Sequence, residues 1–153
     1  MAKTGITEYD LLISCPGDVE KFISYMEDAV KKFNSLYGRE HGIRIQTRYW
    51  PQDGYSQMGD TPQNILNRQF IKECDMTVAV FWTKFGTQTD KNGSGTAEEI
   101  QSMIDAGKQV FLYFLDKHIL PSQIDSDLMK VREFREWSRQ RGLCFDVEDE
   151  KDL

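Results

Sequence analysis

Two uninterrupted apolar runs constrain the fold of this chain more than any other feature. Residues 76–82 read MTVAVFW and residues 109–115 read QVFLYFL, with no charged side chain in either run. Strands that are apolar on both faces are typical of the interior of a parallel sheet with helices on both sides. The two runs therefore predict an α/β protein in which they are central strands.

Three further segments have strand patterns, and helical patterns separate all five. The order β-α-β-α-β-α-β-α-β predicts a parallel sheet with right-handed crossovers. Residues 43–50 alternate apolar and polar side chains, which is typical of an edge strand and favours a flavodoxin-like three-layer sandwich with strand order 2-1-3-4-5. We expect one domain over residues 1–153. The other predicted strands are 9–15 and 143–147, and the predicted helices are 19–37 (with Asp18 as N-cap and Gly38 as C-cap), 61–74, 97–106 and 126–141.

Composition excludes several classes of function. The net charge of −6 and the pI near 5.0 give no electrostatic case for binding nucleic acid. Three well-separated cysteines predict neither a disulfide framework nor a zinc site, and they favour a reducing compartment. No apolar run approaches the length of a membrane span, so we expect a cytoplasmic protein without a membrane partner. The acidic tail follows an apparent strand without a closing helix, and we expect this domain to be the N-terminal part of a longer protein.

Topology predicts where a ligand would bind. In an open parallel sheet, ligands lie beyond the carboxyl ends of the strands, at the point where the strand order reverses. For the order 2-1-3-4-5 that point lies between the first and third strands. The loops expected there are residues 14–18 and 82–95, and Trp50 at the end of the second strand flanks the same crevice.

Glu99 is the candidate catalytic residue in this crevice. In a helix starting near Thr96, we expect Ala97, Ile100 and Ile104 to form the packed stripe. Glu98 is then expected to face solvent, and Glu99 to point inward. The helix dipole favours the ionised carboxylate, which can stabilise or attack an oxocarbenium-like carbon during cleavage of an N-glycosidic bond.

Each candidate residue also has a structural interpretation. Thr96 and Glu99 have the spacing of a capping box, in which the glutamate only stabilises the helix terminus. Trp50 and Trp82 are suited to packing as well as to stacking on a ligand. Ser14 is also suited to a turn, and Asp18 to a helix cap. Cys15 has no evident histidine partner, which argues against a thiol nucleophile.

Several motifs together resemble those of bacterial TIR-like domains. They are residues 12–19 (LISCPGDV), Cys74-Asp75, Phe81-Trp82, residues 85–87 (FGT) and residues 94–100 (SGTAEEI). The similarity extends over nearly the whole chain and is strongest to domains at the N-termini of multidomain, often NTPase-containing, defence proteins. The segment GTAEEI is also similar to the corresponding segment of nucleoside 2-deoxyribosyltransferases, whose glutamate attacks the sugar.

The resemblance implies a function and a set of site residues. Glu99 matches the glutamate with which TIR domains cleave the nicotinamide–ribose bond of NAD. NAD would be the substrate, with no metal or other cofactor, and the domain would self-associate and act with C-terminal sensor or NTPase domains in antiviral defence. The implied substrate-binding residues are Ser14, Cys15, Pro16, Asp18, Trp50, Trp82, Phe85, Ser94 and Thr96.

Two other functions remain open from the sequence. The same glutamate could serve nucleoside deoxyribosyl transfer or hydrolysis of a nucleotide N-glycosidic bond. Alternatively, the domain is a non-catalytic TIR-like interaction module in which Glu99 is only a cap.

Overall fold

The sheet of this protein has the predicted strand order. The computed structural model describes residues 2–49, 58–59, 64–65, 71–86, 94–142 and 144–153. Five strands pair in parallel in the order β2-β1-β3-β4-β5, which confirms the α/β fold with order 2-1-3-4-5 and places β2 at an edge. The strands are β1 Thr7–Ser14, β2 Ile43–Arg48, β3 Met76–Phe81, β4 Gln109–Leu115 and β5 Phe145–Val147.

Helical segments connect the strands. Within the described residues these are a 3-10 helix Gly17–Phe22, α1 Ile23–Phe33, a π-helical turn Asn34–Gly38, α2 Arg39–His41, α3 Gly95–Asp105, a 3-10 turn Pro121–Gln123, α4 Ser126–Arg139 and a 3-10 turn Glu150–Asp152. The predicted helix over residues 61–74 falls largely outside the described residues. None of the described helices combines the length and the apolarity needed to cross a bilayer.

The end of the first helical segment differs from its prediction. Gly38 is not a C-cap, because helical structure continues to His41 and ends where Gly42 adopts φ 67°. Glycine is required at position 38 for another reason. A Cβ atom there would lie 2.4 Å from the carbonyl oxygen of Ile43, so only glycine lets the helix approach β2 this closely.

Strand β3 carries the core because it contributes to both faces of the sheet. Val80 packs with Phe22 and Met26 on the face covered by α1. Phe81 packs on the opposite face with Phe114, at a ring-centroid distance of 5.8 Å, and with residues of α3 and α4. Burial on both faces is the reason why this run is continuously apolar.

The point at which the strand order reverses lies beside the end of β1. Strand β1 pairs with β2 on one side and with β3 on the other, and Ser14 is in register with Ala79. The chain therefore leaves β1 and β3 at adjacent positions, at the carboxyl ends of these two strands. This geometry brings residues far apart in sequence into one crevice.

Candidate functional site

A hydrogen bond joins the end of β1 to the first half of α3. The Ser14 hydroxyl donates to Oε2 of Glu99, although the two residues are 85 positions apart in the chain. Ser14 is only 2% exposed, whereas Glu99 is partly exposed. The carboxylate thus lies beside the end of β1, with one oxygen hydrogen-bonded to Ser14 and part of its surface exposed.

Glu99 is not part of a capping box. Helix α3 is capped by Ser94, whose backbone is extended and whose Oγ accepts a hydrogen bond from the Ala97 N–H at 3.0 Å. Thr96, the predicted N-cap, is already the second helical residue, so the capping-box interpretation was wrong. Glu99 lies in the second turn, beyond the position from which a side chain reaches back to the cap.

The predicted environment of Glu98 was also wrong. Glu98 is 4% exposed. The three residues before it, 95–97, are buried as well, so both sides of the first turn are covered. An amphipathic pattern assumes one solvated face, and this helix terminus has none. The packed stripe contains Ala97, Ile100 and Met103, while Ile104 is 46% exposed. Glu99 precedes Met103 by one turn, which explains why it points toward the sheet.

Asp18 fastens the two loops of the crevice to each other. Its Oδ2 accepts hydrogen bonds from the Thr83 N–H at 2.8 Å, the Thr83 hydroxyl at 2.8 Å and the Lys84 N–H at 3.1 Å. Asp18 is therefore not the helix N-cap that the sequence predicted. The 3-10 helix begins after Pro16, without a side-chain cap. The aspartate instead holds the segment after β3 against the segment after β1.

The Cys15 thiol is kept protonated. Burial raises the pKa of this thiol to about 12, and the negative charges of Glu20, Glu99 and Asp18 add to the shift. A thiol with such a pKa carries almost no thiolate at neutral pH, so it is a poor nucleophile. This agrees with the sequence-based argument against a thiol nucleophile.

Two residues of the crevice were not predicted as site residues. The Tyr49 hydroxyl, directly after β2, donates to Oε1 of Glu20 at 2.7 Å. Burial raises the pKa of Tyr49, followed in importance by the hydrogen bond to Glu20, and the charge of Glu99 also contributes. The position of Tyr49 at the carboxyl end of a strand was the available signal, because topology selects strand ends.

The remaining predicted site residues are mostly buried. Trp82 is 7% exposed and packs edge-on against Phe22, with a ring-centroid distance of 6.1 Å. Its indole N–H has no hydrogen-bond partner among the described residues. Phe85 is 7% exposed and stacks on Phe81 at 5.8 Å. Pro16, Ser94 and Thr96 are buried, and Trp50 lies outside the described residues. A direct role in substrate binding stays a prediction for all of these.

The described polar side chains beside the ends of β1 and β2 are carboxylates, hydroxyls and a neutral thiol. Within the described part of the chain, no group of three or more His, Cys, Asp or Glu side chains is arranged to hold a metal ion. The chemistry that this set of residues can supply is electrostatic stabilisation of a cation and hydrogen bonding to polar ligands.

Sequence comparison assigns the chain to a family. A family profile described as "Domain of unknown function (DUF4062)" matches residues 22–153. The chain belongs to the DUF4062 family. The matched part of this DUF4062 domain includes Tyr49 and Glu99 and begins after Ser14, Asp18 and Glu20. No curated protein matches the sequence at a significant level.

Two solved structures are distantly similar to this chain. The DUF4062 domain superposes on the RPS4 and RRS1 TIR domain heterodimer with a TM-score of 0.47 and 12% identity, covering 94% of this chain and 85% of the other. It superposes on a homoserine dehydrogenase of S. aureus with a TM-score of 0.43 and 10% identity, covering 94% of this chain and 32% of that one. The domain thus spans about a third of the dehydrogenase. With TM-scores below 0.5, neither similarity enters the argument about function.

Proposed function

We propose that this domain is a TIR-type NAD glycohydrolase in which Glu99 is the catalytic residue. The observation that carries the proposal is the hydrogen bond between Ser14 and Glu99 at the point where the strand order reverses. Open parallel sheets bind nucleotides at this point, and a carboxylate there that is not a helix cap supports the proposal. The motif resemblance, which identifies the same glutamate, supports the proposal independently.

The reaction needs little besides a fixed negative charge. The bond between the ribose C1′ and the nicotinamide nitrogen breaks, and its electron pair neutralises the positively charged pyridinium ring. The Glu99 carboxylate stabilises the oxocarbenium ion that remains, either electrostatically or as a covalent ester. Addition of water to C1′ then yields ADP-ribose and releases one proton.

The groups next to Glu99 are consistent with a reaction that needs one fixed carboxylate. Nicotinamide leaves without protonation, so the site requires no general acid. Cys15, whose pKa is raised by burial, adds no charge near the cation. The Ser14 hydroxyl is a positioning group, because its hydrogen bond fixes one oxygen of Glu99.

The biological setting of the proposal follows from the resemblance. We propose a cytoplasmic effector domain in prokaryotic antiviral defence, joined to C-terminal sensor or NTPase domains and activated by self-association. Assembly would complete the site across neighbouring subunits. The isolated domain is then expected to have little activity until it is clustered.

The test compares substrates and variants under clustering. The domain, fused to an oligomerising scaffold, is incubated with NAD and separately with deoxynucleosides, as wild type and as Glu99→Gln. We expect wild type to release nicotinamide and Glu99→Gln to lose at least about a hundredfold in rate, because the charge that stabilises the transition state is gone. The melting temperature should stay unchanged, since Glu99 does not cap the helix.

The matched control is Asp105→Asn, which removes an exposed carboxylate from the other end of α3. Its rate should equal that of wild type. Turnover of deoxynucleosides in place of NAD would favour deoxyribosyl transfer, and turnover of neither substrate would favour the interaction module.

A further inference from the structure

A tyrosine and a glutamate form a second polar pair in the crevice. The Tyr49 hydroxyl is 2.7 Å from Oε1 of Glu20. Tyr49 is 8% exposed and packs in the core with Val19 and Trp82, so its ring is fixed. Glu20, in contrast, is exposed. The pair therefore consists of a rigid donor and a carboxylate that the donor holds in place at the surface of the crevice.

The pair lies close enough to Glu99 to share its electrostatic environment. The charges of Glu20 and Glu99 both raise the pKa of the Cys15 thiol, and both raise that of the Tyr49 hydroxyl. Cys15 directly follows Ser14, which bonds Glu99. The sheet topology also brings the pair near Glu99, because Tyr49 follows β2 and Ser14 ends β1, the neighbouring strand.

The Tyr49 hydroxyl is unsuited to proton transfer. Burial and the hydrogen bond to Glu20 raise its pKa, so the proton remains on the phenol and is directed at the carboxylate. An ionised carboxylate has about four lone-pair sites for hydrogen bonds, and Tyr49 occupies one of them. Among the residues that the structure describes, no second donor to Glu20 is present, so its carboxylate has acceptor positions for a ligand.

Free carboxylate acceptors next to an anomeric centre suit the hydroxyl groups of a sugar. Acidic side chains recognise the ribose 2′-hydroxyl in dinucleotide-binding folds. In glycoside cleavage, hydrogen bonds to the 2-hydroxyl also strengthen in the transition state. A 2-deoxyribose lacks the 2-hydroxyl and would therefore offer the same carboxylate one hydrogen-bond donor fewer.

We propose that Glu20, oriented by Tyr49, accepts hydrogen bonds from the ribose hydroxyls of the substrate and makes the site selective for ribosyl over 2-deoxyribosyl compounds. This inference rests on the proposed function, because it assumes that the sugar lies against Glu99. It assigns Glu20 to substrate specificity and Tyr49 to positioning.

Binding of ribose ligands tests the inference without relying on turnover. In the Glu99→Gln background, calorimetry measures the affinity for ADP-ribose and for its analogue that lacks the 2-hydroxyl of the terminal ribose. We expect the analogue to bind roughly tenfold to a hundredfold more weakly, the usual effect of one hydrogen bond to a charged group. Glu20→Gln should reduce this ratio to less than about threefold, and Tyr49→Phe should reduce it partly.

Asp28→Asn, which removes an exposed carboxylate from α1, is the matched control and should leave the ratio unchanged. Melting curves show whether each variant is folded. A Glu20→Gln variant that is folded and keeps the full ratio would overturn the inference, as would failure of both ligands to bind.

Turnover separates this inference from the proposed function. Discrimination in binding by a domain that leaves NAD intact under clustering contradicts the proposed reaction and supports the ribose contact. Hydrolysis of NAD by a domain that binds ADP-ribose and its 2-deoxy analogue with equal affinity supports the reaction and contradicts the ribose contact.

Discussion

Helices α3 and α4 both begin after a residue whose side-chain oxygen accepts backbone N–H groups. Ser94 accepts from Ala97 in α3, and Asp125 accepts from Asp127 and Leu128 in α4. Both helices also carry a carboxylate in the first turn. By local rules the two termini are equivalent.

Their surroundings differ completely. Ser94 is fully buried, and the four residues after it are buried as well. Asp125 is exposed and forms an ion pair with Lys84. An exposed terminus can exchange its hydrogen bonds with water, whereas a buried one cannot. The two helix starts therefore have equivalent local caps, and the packing around them determines whether water can replace the cap.

Lys84 connects the two regions. Its backbone N–H donates to Asp18 beside the Glu99 crevice, and its side-chain ammonium pairs with Asp125 at the start of α4. Substitution of Asp18 and substitution of Asp125, its two partners, can therefore test the two regions separately.

The largest effect on stability is expected for Asp18→Ala. Loss of the acceptor for Thr83 and Lys84 leaves three partly buried donors without their partner, which should lower the free energy of unfolding by roughly 2–4 kcal/mol. Urea unfolding measures the loss. Asp18→Asn keeps one acceptor oxygen and should recover part of it, and equal losses for the two variants would contradict this account.

Ser14→Ala should reduce activity more than stability. Without the hydroxyl, Glu99 loses its hydrogen bond to the end of β1, and misplacement of a catalytic group costs about tenfold to a hundredfold in kcat. The KM for NAD should change little, and Ser14→Thr should restore most of the rate. Ser138 in α4 provides the control, because its buried hydroxyl bonds the Phe134 carbonyl. If Ser138→Ala lowers kcat as much, the positioning role fails.

Removal of the two caps should have unequal consequences. Ser94→Ala leaves a buried Ala97 N–H unsatisfied, and we expect a loss of about 1–2 kcal/mol in the free energy of unfolding. Asp125→Ala should cost less, since water replaces the lost acceptor at an exposed site. Shifts in the urea midpoint at constant m-value give both numbers. Equal shifts would show that burial does not distinguish the termini.

The smallest effect is a pH dependence confined to α4. The hydrogen bond from Lys84 lowers the pKa of Asp125 below its ordinary value of 3.8, so the stabilisation is fully present above that value and is lost as the pH falls through the lower folded-state pKa. Amide exchange at Asp127 and Leu128, corrected for intrinsic rates, should accelerate below about pH 4 relative to Ala97. The serine cap of α3 does not titrate. An equal acceleration of amide exchange at Ala97 would show that the effect is not confined to the start of α4.

The sequence by itself determined the architecture of this protein. Apolar runs 76–82 and 109–115 identified the central strands, alternation in 43–50 identified the edge strand, and together they predicted the order 2-1-3-4-5. These features are readable because hydrophobic periodicity is local and directly reflects burial. The order also predicted where a ligand would bind, and the helical position of Glu99 together with the motif resemblance made this residue the candidate there.

The tertiary structure alone decided how the site is assembled. Local pattern favoured Thr96 as the cap and Glu98 as the exposed residue, yet the chain is extended at Ser94 and the whole first turn of α3 is covered. The hydrogen bonds from Ser14 to Glu99 and from Tyr49 to Glu20 join segments 85 and 29 residues apart. Such contacts depend on how loops from different strands pack at one edge of the sheet, and no periodicity within a single segment encodes that packing.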